Sequence, residues 1–370
     1  MRAAAPRPFL AEALETLLPG GTLVQMLRAA LLDGPAAQSG FDRWTEMLGG
    51  SLENMRRPDF ALPYLMPLLY DSVRRNAIEL DPRLTALMRA AAVRENNRVK
   101  VVAAACRDLL SSLPDASSVL VAGDVALAFT AYARPALRHC HGLKLLVAPD
   151  HVEPLRAHLV GRRAVRELPH GVLVHRSNLH VEIESEPQSP PSISERAVAI
   201  ELDGAPARAL GRSDLLALVL ADGLGDQRGF AQWVADAVSV LTAPGPLDWD
   251  AFTRAARVRQ ESLPAALVLG WLRDEFAVTI PAAVITDLSR DITRFAEDTL
   301  LDQARRVYGS VALLRCMRGE RNRGLLLWRL AVPSRRLLRA QGEPRLIGPY
   351  ARRLVESLSL LRQERARLRA

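Results

Sequence analysis

Lys144 is one of two lysines in a chain with 47 arginines, and it lies inside an apolar run, Gly142-Leu143-Lys144-Leu145-Leu146-Val147. Closed by Ala148-Pro149-Asp150, that run reads as a strand. Residues two apart on a strand share a face, so Gly142 and Lys144 present a bare backbone and an ammonium together. A later run, Val181-Glu182-Ile183-Glu184-Ser185, presents two carboxylates in the same way, and Asp124 directly follows Gly123 after Leu120-Val121-Ala122. Clustered carboxylates are the hard oxygen ligands that Mg²⁺ takes. An ammonium among them opposes a metal: two unit charges ~4 Å apart cost on the order of 4 kcal/mol at an effective dielectric near 20, and a divalent ion roughly doubles that. An internal Lys144–Glu182 ion pair is one hypothesis, with a solvent-facing Lys144 as the plain alternative.

Other candidates are weaker. All seven histidines fall between His139 and His180, and imidazole suits transition metals. His139-Cys140-His141 is the tightest group, yet no second pair at helical ligand spacing supports it. Asp124 reads either as a substitute carboxylate that would repel phosphate or as a helix N-cap. Phosphate-loop, zinc-protease, nucleophile-elbow and dinucleotide fingerprints are absent from the sequence.

The elements that would carry these residues form a small α/β unit within a helical chain. Residues 9–114 have helical periodicity, broken at Pro19-Gly20-Gly21, with further helices expected over 63–74 and 84–113. Strands are expected at 118–122, 143–147, 171–175, 179–184 and 198–202, the third and fourth forming a hairpin about Arg176-Ser177-Asn178, with a short helix over 151–160. Helical spacing returns after a loop at 187–191, with Ser213 or Asp214 as N-cap, and continues over 230–241, 249–259 and 264–276. The division read from this pattern is a helical region 1–115, an α/β core 116–205, a helical domain 206–300 and an Arg-rich helical region 301–370.

Composition bounds the function. Apolar residues are 49% of the chain and aromatics 5%, and the net charge is +8. Residues 318–370 hold fourteen Arg and four Glu, or +10, which leaves about −2 for the rest. That segment reads as a solvated helical face; nucleic acid or a membrane surface is the alternative partner, including a surface role for Leu325–Leu330. Three scattered cysteines form no disulfide framework and fit a cytoplasmic compartment. No apolar run reaches the roughly 20 residues of a membrane span, and the first residues make a poor signal peptide.

Taken in order, these segments resemble the bacterial uncharacterised nucleotidyltransferase family, a branch of the polymerase-beta-like superfamily. Members carry Leu-Leu-Lys-Gly-x-Ala-Leu, then Arg, three residues, and Asp-x-Asp-Leu-Leu-Val, followed by a strand with a third carboxylate. Here Val119 to Leu127 takes the first segment, keeping Gly123 but with Ala122 for the lysine. Arg138 keeps the arginine, Gly142 and Lys144 replace both aspartates, and Glu182 keeps the third carboxylate. Ala221 and Gly225 stand where members often show two histidines, while Gln232-Trp233-Val234-Ala235-Asp236 and Leu247-Asp248-Trp249-Asp250 match later helical motifs. The resemblance implies an α+β, mainly helical fold: a small mixed-sheet core flanked by N- and C-terminal helical regions. It implies a degenerate metal site with no catalytic residue retained but Glu182, no bound metal or other cofactor, and a non-catalytic accessory protein that binds a peptide, a nucleotide or a partner enzyme in a bacterial biosynthetic pathway. Gly123, Asp124, Arg138, Lys144, Glu182 and Glu184 are the implied ligand-binding residues. The alternative is an active transferase using Mg²⁺ and NTP through Asp124, Glu182 and Glu184.

Overall fold

The computed structural model describes residues 10, 13–14, 17–49, 62–113, 115–186, 192–225, 231–291 and 296–301. The expected Arg-rich helical tail, Leu325–Leu330 and Cys316 lie outside the described residues. So does the loop expected at 187–191.

Four helices lead in: α1 (Gly21–Leu31), α2 (Gly34–Met47), α3 (Leu62–Arg75) and α4 (Pro82–Ser111). α4 starts where Asp81 accepts from Arg83 N at 2.7 Å with Pro82 in the first turn, the ordinary chemistry of a helix start. Its buried side recurs at helical spacing through Leu84, Met88, Ala91, Glu95, Val99, Val102 and Cys106. Glycine lets α1 and α2 approach closely. A Cβ at Gly40 would stand 2.6 Å from the backbone nitrogen of Ala29.

The core follows as β1 (Leu120–Ala122), α5 (Gly123–Thr130), β2 (Gly142–Val147), α6 (Val152–Gly161), β3 (Val165–Glu167), β4 (Leu173–His175), β5 (His180–Ser185), β6 (Val198–Leu202) and β7 (Ala205–Ala209). They form one seven-stranded mixed sheet in the order β3-β4-β5-β2-β1-β7-β6. β2 runs parallel to β5, placing Lys144 opposite Glu182 and Leu146 opposite Glu184. β4 and β5 form the expected antiparallel hairpin. β3 and β7 were not expected; β7 pairs with β6 through Asp203-Gly204, both with positive φ (50° and 82°), as a two-residue hairpin turn requires.

The helices α7 (Arg212–Gly225), α8 (Gln232–Thr242), α9 (Trp249–Val258), α10 (Ser262–Phe276) and α11 (Ala282–Ser289) follow, and residues 296–301 are helical as well. One continuous hydrophobic core runs from α1 through the sheet to these helices. The expected N-cap role of Ser213 or Asp214 is corrected, because both lie inside the first turn of α7. Ser213 Oγ donates to Asp248 O at 2.8 Å, and Asp214 accepts two bonds from Arg196 at 3.0 and 2.8 Å. Asp248 itself caps α9 by accepting from Ala251 N at 2.9 Å. Among the described residues no helix is long and apolar enough to cross a membrane.

The Gly40 contact gives a direct test. Gly40→Ala is expected to destabilise by about 1–3 kcal/mol in urea denaturation, because backbone must move to admit the methyl group. Gly161→Ala, with open space about its Cβ, is expected to change stability by less than about 0.5 kcal/mol.

Candidate functional site

The turn from β1 into α5 depends on Gly123, whose φ of +61° disfavours any residue with a side chain. A Cβ there would also touch Lys144 Cβ at 3.4 Å. Asp124 comes next, and its expected capping role is corrected: Ala122 occupies the cap position, and no side chain caps it. The Asp124 carboxylate instead crosses to the start of β2. One oxygen lies 2.9 Å from Arg138 Nη2 and the other accepts from His141 N at 2.6 Å.

Arg138 is 6% exposed and forks onto Asp236 of α8 through bonds of 3.0 and 2.9 Å. It also donates to His139 O. Tyr132 Oη donates to Asp236 at 2.6 Å. Burial opposes the Arg138 charge, but Asp124 and Asp236 outweigh it and raise its pKa well above the usual range. Burial likewise works to raise Asp124, yet Arg138 and the His141 amide prevail and hold its carboxyl low. For Asp236 burial wins over Arg138, and its pKa is raised. The network ties the β1–α5 turn, the entry to β2 and α8 into one unit.

Across the sheet face, Lys144 Nζ lies 3.1 Å from Glu184, 3.5 Å from Glu182 and 4.0 Å from Asp222 of α7. The lysine side chain is 18% exposed, while Glu182 and Asp222 are each 62% exposed. Burial alone would lower the Lys144 pKa; Asp222, Glu184 and Glu182 reverse that and raise it. Burial also raises Asp222, with Lys144 opposing. Lys144 is therefore an ammonium throughout the neutral range, and it points among carboxylates rather than into open solvent.

A cavity of about 650 Å³ opens beside this cluster. Gly123, Asp124, Lys144, Glu182 and Asp222 line it, with Arg98, His141, Asn178 and His180 among its other walls. Glu184 reaches it only through Lys144, and Arg138 stays behind it, supporting Asp124. His141 is driven down to about 4, chiefly by burial, and is neutral at pH 7. Asp222 carries no motif of its own in the sequence, although it lies between Ala221 and Gly225. Asn178 shows in the sequence only as part of a hairpin turn, and His180 as part of that hairpin and of the histidine group.

The Mg²⁺ that the active-transferase alternative requires does not fit these residues. The Lys144 ammonium takes the position between the carboxylates, and Gly142 offers no ligand. A Cβ at Gly142 would meet His180 O at 3.0 Å, so a side chain there requires a small shift of the neighbouring backbone. The other histidine group is held differently. His139 Nδ1 is 2.8 Å from Glu95, and its ring lies 4.5 Å from Tyr64 and 4.6 Å from His141. Arg98 donates twice to Cys140 O, and burial raises the Cys140 thiol pKa. Among the described residues no group of three or more His, Cys, Asp or Glu is arranged to hold a metal ion.

Comparison with known proteins adds a family. The model of the family described as "Uncharacterised nucleotidyltransferase" matches residues 63–274, more than half of the chain and every element from α4 to α9. No functionally curated protein matches the sequence. Among solved structures, an antigenic nucleotidyltransferase-like protein from Paracoccidioides brasiliensis is 14% identical, with a TM-score of 0.36, covering 51% of this chain and 96% of its own.

Two measurements probe the site. Arg138→Met should cost about 3–5 kcal/mol in chemical denaturation, since it strands buried carboxylates, while Tyr132→Phe should cost only about 1.5–3 kcal/mol. Near Asp222, burial pushes the Glu261 carboxyl from its ordinary 4.5 up to about 7. The folded state then holds that proton to higher pH than the unfolded chain, so the side chain's contribution to stability falls as pH rises through that window. The melting temperature of Glu261→Gln should gain on wild type between pH 4.5 and 7 and run parallel to it above.

Proposed function

The chain belongs to the uncharacterised nucleotidyltransferase family, and from that premise we propose that it is a degenerate member: a non-catalytic accessory protein that binds through the pocket beside Lys144. Two-metal nucleotidyl transfer needs cations that bridge the triphosphate and offset charge on the attacking and leaving oxygens. The observation that carries the reading is Lys144 Nζ at 3.1 Å from Glu184 and 3.5 Å from Glu182. A fixed ammonium supplies one positive charge between the neighbouring strands β2 and β5, but it is not a Lewis acid able to bridge phosphate oxygens and activate an attacking oxygen. Its charge also opposes a divalent ion at the same place.

The active-transferase reading would draw on Asp124, Glu182 and Glu184. All three already have cationic partners, Arg138 for the first and Lys144 for the other two. A binding role needs no such ligands. It needs a walled pocket and groups of fixed protonation state, and Lys144 with neutral His141 provides them. A peptide or protein partner in a bacterial biosynthetic pathway is the occupant in keeping with this reading.

The test is a charge reversal. Wild-type protein should show no Mg²⁺- or Mn²⁺-dependent thermal shift with any NTP and should transfer no labelled NMP. Lys144→Asp would leave four carboxylates converging and should gain a Mn²⁺-dependent rise in melting temperature. A metal-dependent NTP shift in the wild type, or a labelled acceptor, would defeat the proposal. So would a folded Lys144→Asp variant indifferent to metal.

A further inference from the structure

Away from the pocket, the outer side of α4 remains uncovered by any described residue. Val93 is 57% exposed there; Val101 and Leu87, 54% and 47% exposed, lie around the helix from it. Two depressions flank this side. One, of about 830 Å³, lies between α3, α4 and residues 134–137, with Pro67, Tyr70, Val99 and Leu137 among its walls. The other, of about 850 Å³, lies toward the start of α4 and includes Ile78, Leu80 and Ala90. Val93 belongs to both, so they join into one track along the helix. From Ala86 to Val99 that track follows roughly 20 Å of helix axis, the length of a three- to four-turn partner helix.

The charges along it are unequal. Arg74, Arg75, Arg134 and Arg89 line the two depressions, against Asp71 and Glu79. Arg75 and Arg134 share Asp71. Among the described residues, Arg74 and Arg89 have no carboxylate in ion-pair range. We infer that this track is a docking groove for an acidic amphipathic helix of a partner protein, with apolar side chains seated about Val93 and carboxylates on Arg74 and Arg89. Helix-in-groove recognition uses this combination of an apolar floor and a charged rim. Charge argues against the chain's own terminal segment as occupant, since residues 318–370 carry fourteen Arg and four Glu.

The inference does not depend on the pocket reading and is tested separately. Two fluorescein-labelled amphipathic peptides of about 14 residues, long enough to span the track as helices, carry the same leucines, with glutamates on the polar face of one and lysines on the other. Titrated with the full chain, the glutamate peptide should bind by anisotropy and the lysine peptide should not. Val93→Glu and Arg74→Glu, both at exposed positions and each confirmed folded by circular dichroism, should weaken binding by about tenfold or more, as loss of a central contact does. Equal binding of the two peptides, no binding of the acidic one, or unchanged binding to both variants would overturn the inference. A dimer of the wild type that Val93→Glu dissociates would overturn it too, since a second copy would then be the occupant.

Discussion

Arg138 and its two carboxylates are the constraint from which the site follows. A guanidinium this deeply buried is tolerable only with its donors filled, and Asp236, Asp124 and His139 O fill them. Each partner lies on a different piece of chain. Asp124 opens α5, Asp236 lies on α8, and His139 leads into β2. Satisfying one side chain therefore fixes the relative position of a turn, a helix and a strand. Tyr132 completes the arrangement by donating to the carboxylate that burial disfavours most. The wall of the pocket is rigid because the network behind it cannot relax without exposing a charge to an apolar interior.

That rigidity places Lys144. With the entry to β2 fixed, the parallel register with β5 sets the lysine opposite Glu182 and one step from Glu184. α7 then brings Asp222 from the other side. Three carboxylates about one ammonium leave an excess of negative charge, but two of the three are more than half exposed and are screened by water. The cluster is thus a modest contributor to stability, and its Lys144, Glu182 and Asp222 charges line the pocket. At Gly142 the backbone lies too near His180 O to admit a larger residue without movement.

Much of the fold was legible in the residues. The α3 and α4 helices appear as helical periodicity over 63–74 and 84–113, and the β4–β5 hairpin as two alternating runs about a polar turn. β7 escaped because Ala205-Pro206-Ala207-Arg208-Ala209 carries no β-branched residue. It is a strand because β1 and β6 offer it hydrogen bonds, although the Asp203-Gly204 pair was a readable turn signal. β3 is three residues long and likewise depends on its neighbour. Asp124 was misread as a cap because capping is a local rule, whereas the stronger claim on its carboxylate came from Arg138, fourteen residues on.

The sequence by itself determined the chemistry on offer: a glycine and a lysine alternating on one strand, a pair of glutamates alternating on a later strand, and an arginine ahead of both. These follow from residue type and the two-residue period of a strand, which no tertiary contact alters. Tertiary structure alone decided the pairing. Glu184 rather than Glu182 lies nearest Lys144, Asp222 joins from a helix nearly eighty residues away, and Asp124 is bound to Arg138. Distance and burial assign partners among charges, and both arise only when the sheet and the helices over it are assembled.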